Sequence, residues 1–291
     1  MFKGVTTALI TPFLENGNID VDALQKLIDY QIEGEVNAIL PMGTTGESPT
    51  HSHDEHIQVI KIITEYNRGR VPVMAGTGSN CTREAINLTK RATDLGIDAS
   101  LQVAPYYNKP TQEGFLRHFT EIADKVEIPI IVYNIPGRTG KNIENSTMLK
   151  LAEHPNIIGV KEASGNINQM MDLIAKKPDS FLVLSGDDNL TYPLIALGGS
   201  GVVSVVSNLI PKMMVNFIKE ALNGNYEKAR NMHYKLLPLF KAMFIETNPI
   251  PIKASLALKG MVKEYYRLPM CPMMPENKEK LIKVLKSYDL I

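Results

Sequence analysis

Eight times within the first 224 residues, a short apolar run of strand type gives way to a longer segment with helical spacing. The strand-type runs cover residues 4–10, 38–40, 71–75, 99–103, 128–133, 157–161, 181–184 and 201–206. After Asp20, apolar residues recur at Leu24, Leu27, Ile28 and Ile32, and Gly34 stops the pattern. Ser52-His53-Asp54-Glu55 is a capping box that opens the second helical segment. Further helical segments follow at residues 82–94, 112–125, 145–153, 167–175, 190–197 and 213–222. Such alternation calls for parallel strands covered by helices. Eight units of this size predict a closed (β/α)8 TIM barrel. An open doubly wound sheet would carry a Gly-rich fingerprint after its first strand. The chain instead reads Thr11-Pro12-Phe13 there. Beyond residue 225 only helical patterns recur, at residues 226–244, 251–259 and 277–287, with Pro-rich joints at 248–251 and 268–275. The expected organisation is a catalytic barrel over residues 1–224 and a C-terminal helical appendage over 225–291.

Charge and cysteine usage narrow the function classes. Lysine plus arginine equal aspartate plus glutamate, 31 each, so the basic surplus of a nucleic-acid binder is missing. Cys81 and Cys271 lie far apart and lack metal-ligand spacing. No apolar stretch reaches membrane-spanning length, and the first 13 residues lack a signal-type run. The expectation is a cytoplasmic enzyme with no membrane or nucleic-acid partner.

In a barrel of this kind the active site is built at the C-terminal ends of the strands. Strand six runs Asn156-Ile157-Ile158-Gly159-Val160-Lys161 and ends on an amine. Simple alternation places Lys161 on the face of Ile157 and Gly159. If that face is interior, desolvation lowers the lysine pKa and leaves a nucleophile near neutral pH. Taken alone, the residue reads rather as a lysine snorkelling from a strand end and paired with Glu162; the rest of the chain reverses that. Strand five ends at Tyr133, a phenol able to shuttle protons, followed by Asn134-Ile135-Pro136-Gly137-Arg138-Thr139, with Arg138 suited to bidentate carboxylate binding. After strand two comes Gly43-Thr44-Thr45-Gly46-Glu47, whose hydroxyls and amides could hold a carboxylate. Gly186-Asp187-Asp188 follows strand seven, and its aspartates read as a helix N-cap. An amine, a phenol and two anion anchors together describe Schiff-base chemistry that joins a 2-oxo acid to a second carboxylate-bearing molecule.

At those motifs, at Val160-Lys161-Glu162-Ala163-Ser164-Gly165 and at Glu246-Thr247-Asn248-Pro249-Ile250-Pro251-Ile252-Lys253, the chain resembles the dihydrodipicolinate synthase family over essentially its whole length. The resemblance implies condensation of pyruvate with L-aspartate 4-semialdehyde, the first committed step of the diaminopimelate route to lysine. It implies an imine between Lys161 and pyruvate, with proton relay by Tyr133. Thr44 would link Tyr133 to a Tyr107 inserted from a neighbouring subunit, so the family pattern needs a homo-oligomer, a dimer at least and a tetramer by expectation. Thr45 would hold the pyruvate carboxylate and Arg138 that of the aldehyde, with Gly186 and Val203 lining the pocket. No cofactor and no metal are expected, because the iminium supplies the activation. Ser48, His53, His56, Asn80, Glu84 and Tyr106 match an allosteric pocket for L-lysine in feedback-regulated members.

Rival readings are an N-acetylneuraminate lyase or keto-deoxy-sugar-acid aldolase of the same superfamily, and a non-catalytic barrel scaffold. Thr44, Thr45 and Arg138 weigh against the first, and the complete Lys161, Tyr133, Thr44 and Arg138 set against the second. His51, His53 and His56 tempt a metal assignment, but a zinc site needs three or four converging ligands. A surface cluster at a helix start is the expectation. Gly198-Gly199-Ser200-Gly201 precedes strand eight at the barrel bottom and reads as a close-packed turn rather than a phosphate cradle.

Overall fold

The computed structural model describes residues 1–291. Eight parallel strands form one sheet: β1 Gly4–Ala8, β2 Ala38–Leu40, β3 Met74–Gly76, β4 Ala99–Val103, β5 Ile130–Asn134, β6 Ile157–Glu162, β7 Leu182–Ser185 and β8 Gly201–Ser204. Their order, β2-β1-β8-β7-β6-β5-β4-β3, leaves β2 and β3 at the two ends. These ends meet through a short seam: an isolated bridge between Ile39 and Val73, with Ile39 N donating to Pro72 O and Gly76 N to Pro41 O. A Cβ on Gly76 would lie 2.3 Å from Met42 O, so the seam closes only around a glycine. The result is a nearly closed (β/α)8 barrel, as the alternation predicts.

Helices α1 Val21–Glu33, α2 His53–Asn67, α3 Thr82–Thr93 and α4 Gln112–Lys125 cover the first half. A single turn, α5 Pro136–Thr139, precedes α6 Asn145–Leu151, α7 Ile167–Lys176, α8 Thr191–Ala196 and α9 Pro211–Leu222. Asp20 caps α1 through Ala23 N, and the Ser52/Glu55 capping box opens α2 as expected. After the barrel come α10 Tyr226–Ala242, α11 Ile250–Leu258 and α12 Pro275–Ser287. Their apolar residues, including Leu236, Phe240, Leu256 and Leu281, join the 60-residue core between strands and helices. No helix is long and apolar enough to cross a membrane. Cys81 and Cys271 are both free thiols.

A second, smaller core fills the barrel interior with Ala8, Leu40, Met74, Leu101, Ile131, Tyr133, Leu184 and Val203, and Phe2 joins it. The Gly198–Gly201 stretch is the close-packed turn expected of it: a Cβ on Gly199 would stand 2.4 Å from Leu194 Cδ2.

Two local expectations are corrected, and one helical turn is added. Strand three is Met74–Gly76 rather than residues 71–75, because Pro72 has no N–H to give a ladder. The segment at 136–139 coils into α5, with Pro136 in its first turn. The face reading of β6 also fails at its start. Ile130 pairs with Ile157 and Ile131 with Gly159, so Ile158 is an extra, unpaired residue. Ile157 therefore joins the outer core, while Ile158 packs on the interior one. Lys161 shares its face with Gly159 but not with Ile157.

Candidate active site

Register brings the amine and the phenol together. Tyr133 and Lys161 are direct partners in the β5–β6 ladder, and their side chains both enter the barrel. Lys161 Nζ lies 4.1 Å from the centroid of the Tyr133 ring. Lys161 is only 6% exposed, which rules out the snorkelling reading. Burial, opposed by the charges of Asp187 and Asp188, lowers its pKa from 10.5 to about 8. A cation over an aromatic face gains only about 0.5–2 kcal/mol, less than the cost of drying an ammonium group. A substantial neutral-amine fraction near physiological pH is the consequence.

Burial raises the Tyr133 pKa well above its usual value, against the Arg138 charge and a hydrogen bond to the Thr44 side chain. The phenol therefore stays protonated and able to donate. Glu162, the next residue on the strand, turns to the other face. There its carboxylate accepts from Asn134 Nδ2 at 3.0 Å and Ser164 N at 2.7 Å. It does not pair with Lys161; instead it ties the upper ends of β5 and β6 together behind the amine.

Gly186 lies hard against the nucleophile. A Cβ there would stand 2.6 Å from Ala163 Cβ and 3.2 Å from Lys161 Cε. Its φ is not left-handed, so the constraint is one of space. Gly186→Ala should displace the amine, lowering kcat by about tenfold or more and stability by about 1–3 kcal/mol. Steady-state rates and a melting curve check this; unchanged kcat would mean that the site has room to spare. Val203 is fully buried in the barrel interior.

The N-cap reading of the aspartates holds only for position: Asp187 stands at the N-cap of a 3-10 turn, Asp188–Leu190. Neither side chain caps the following turn. Asp188, buried beneath the site, accepts from Val205 N and Val206 N at 3.1 and 3.0 Å, securing the turn after β8. Burial raises its pKa to about 6. Asp187 is held upward in the same direction by burial, with the Lys161 charge opposing.

A cavity of about 410 Å³ opens beside Tyr133. Thr44, Tyr133 and Arg138 line it together with Ser48, His53, His56, Glu84 and Tyr106. Lys161 does not line it; its amine is packed on the ring of Tyr133, which does. Asn80 flanks it, donating from Nδ2 to Tyr106 O at 3.3 Å. Glu84 accepts from Ser79 Oγ at 2.8 Å. Tyr107 is 90% exposed and projects away from its own barrel on left-handed backbone, φ 69°. The histidines are not a surface cluster. His51 and His56 are buried, bonding Glu47 O and Gly76 O at 3.0 and 2.7 Å, and only His53 is exposed. The two buried imidazoles are thus engaged by backbone carbonyls, and no three potential ligands converge.

Sequence reasoning passed over Asn248, Glu47 and Lys253 as site residues. Asn248 Nδ2 donates to Thr45 Oγ1 at 3.0 Å, and Arg138 Nη2 donates to Asn248 O at 3.1 Å. Both candidate anion anchors thereby meet at one residue of the C-terminal region. The quoted Glu246–Lys253 motif was the available signal.

A family model for the dihydrodipicolinate synthetase family matches residues 1–288. The chain is 53% identical over 291 residues, spanning all of both chains, to the 4-hydroxy-tetrahydrodipicolinate synthase of Thermodesulfovibrio yellowstonii. It is similar to the chloride-inhibited dihydrodipicolinate synthase from Acinetobacter baumannii complexed with pyruvate, with TM-score 0.98, 43% identity and full coverage of both chains. It is also similar to the synthase from Cyanidioschyzon merolae with lysine bound, with TM-score 0.97, 41% identity and coverage of 100% of this chain and 99% of that one.

Proposed function

Because the chain belongs to the dihydrodipicolinate synthase family, we propose that it condenses pyruvate with L-aspartate 4-semialdehyde through an imine on Lys161, giving 4-hydroxy-tetrahydrodipicolinate on the diaminopimelate route to lysine. The observation that carries this reading is the buried, pKa-lowered amine packed on a protonated tyrosine. The neutral amine attacks the ketone carbon of pyruvate and water leaves. The resulting iminium draws electrons from the adjacent methyl group, which loses a proton to give an enamine. The enamine carbon adds to the aldehyde, and the substrate's own amine then displaces Lys161 as the ring closes. No resident cofactor or metal is invoked, because the iminium is the electron sink.

Tyr133 moves the protons, with Thr44 as its hydrogen-bond partner. Thr45 takes the pyruvate carboxylate and Arg138 that of the semialdehyde, an arrangement a two-carboxylate reaction needs and a sugar-acid lyase does not. Tyr107, so exposed on its own subunit, completes the relay in a neighbouring one, within a homotetramer. Borohydride added with pyruvate should leave a covalent adduct on Lys161, located by peptide mass. A wild-type protein that turns over pyruvate with no such adduct would refute the imine.

We propose further that this cavity binds L-lysine as a feedback inhibitor, with Glu84 facing the ligand's ammonium group and Ser48, His53, His56, Asn80 and Tyr106 its remaining polar atoms. Millimolar L-lysine should lower turnover, and Glu84→Gln should raise the half-inhibitory concentration about 10- to 150-fold, as expected for loss of a charge-assisted bond of about 1.5–3 kcal/mol. Rates that do not respond to lysine in the wild type would remove this role.

A further inference from the structure

The turn that carries Thr44 and Thr45 is held from outside the barrel. It runs straight into Glu47, a non-glycine residue on left-handed backbone (φ 54°) lodged between two 3-10 turns, Thr44–Gly46 and Ser48–Thr50. Such a conformation is costly and persists only where its surroundings enforce it. Here the enforcement is an ion pair with Lys253 of α11, whose two side chains are at most 1% exposed. Lys253 Nζ also lies 4.2 Å from the Phe13 ring centroid, with Arg267 Cζ 4.5 Å from the same ring. Arg267 N donates to Glu47 Oε2 at 3.4 Å, and Thr11 Oγ1 to Gly46 O at 2.7 Å.

A buried ion pair is a poor device for stability alone, since apolar residues of similar size often serve as well or better. What it does supply is a fixed direction for the backbone on which Thr44 and Thr45 sit. Five residues before Lys253, Asn248 adds a second tie, from its amide to Thr45 Oγ1. Its backbone carbonyl receives Arg138.

We propose that Asn248 and the Glu47–Lys253 ion pair are positioning residues of the keto-acid site, so that the C-terminal helices hold Thr44 and Thr45 in their substrate-binding geometry. This rests on the imine reading above. The backbone carbonyl that anchors Arg138 survives side-chain substitution at 248, so the effect falls on pyruvate and leaves the semialdehyde alone.

The test uses the full chain as wild type, the volume-conserving Glu47→Gln/Lys253→Met double variant, and Asn248→Ala. Each is read by melting temperature, by the pyruvate concentration giving half-maximal borohydride trapping at Lys161, and by half-saturation in aspartate semialdehyde. The double variant should melt near the wild type, since no charge is left unpaired. Its half-saturating pyruvate should rise about tenfold, with semialdehyde half-saturation within twofold of wild type. Asn248→Ala should move the same way, and decides alone if the double variant does not fold. Folded variants whose pyruvate half-saturation stays within twofold of wild type would overturn the proposal, as would equal losses for both substrates. A wild type that traps no pyruvate would instead overturn the imine reading.

Discussion

Lys161→Met should abolish turnover and make the protein more stable. Burial takes the lysine from 10.5 to about 8, a fall of about 2.5 that corresponds to about 3 kcal/mol of destabilisation while the group is charged. The sign follows from proton binding. Between pH 8 and 10.5 the unfolded chain binds more protons than the folded one, so stability rises with pH across that window. Below pH 8 both states are protonated and the full cost stands. Methionine fills the space without a charge. Its melting temperature at pH 7 should be about 5 °C higher, with the gain shrinking toward pH 10.5. Turnover should fall by at least about 10⁴-fold, the scale of removing a nucleophile. In the wild type, kcat/KM for pyruvate should climb about tenfold per pH unit below about 8 and level off above it, tracking the neutral amine. A variant that keeps a tenth of its rate, or that melts lower, would show that this amine is neither dry nor the nucleophile.

Tyr133→Phe should cost about 10² to 10⁴ in kcat, the range of a lost general acid–base group, while leaving the ring under Lys161 in place. Its effect on folding should stay below about 1.5 kcal/mol, because only one hydroxyl leaves. Burial holds the wild-type phenol far above its usual pKa, so no descending limb should appear near pH 10. Full activity in the phenylalanine variant, or such a limb in the wild type, would assign proton relay to another group.

Much of the barrel could be read from the chain because its strands and helices are local patterns. The misreadings arise where partners decide. Nothing between residues 128 and 161 announces that Ile158 is an extra residue; that depends on which residue of β5 stands opposite it. Asp188 looks like a cap for its own helix, yet it is buried and reaches across to β8. His51 and His56 sit in a polar hexapeptide but are buried, with their rings bonded to the carbonyls of Glu47 and of Gly76 at the end of β3. Lys161, Tyr133, Thr44 and Arg138 were legible because each ends or follows a strand, where barrel chemistry gathers. Glu47 and Lys253 are 206 residues apart, and each alone is an ordinary surface-type charge. Only packing of α11 beneath the threonine turn makes them a pair.

The gap between β2 and β3 divides the cylinder into a stiff arc and a compliant one. From β4 round to β8 every strand is ladder-paired to its neighbours, interrupted only at Ile158, and the amine and its aromatic neighbour sit on that arc. Met42, Gly43, Gly76 and Gly78 border the cavity at the stitched edge, where few backbone bonds resist a change of width. Width can thus change along the β2–β3 edge itself, while the threonine turn stays tied to α11 and the amine and phenol keep their spacing on the laddered wall.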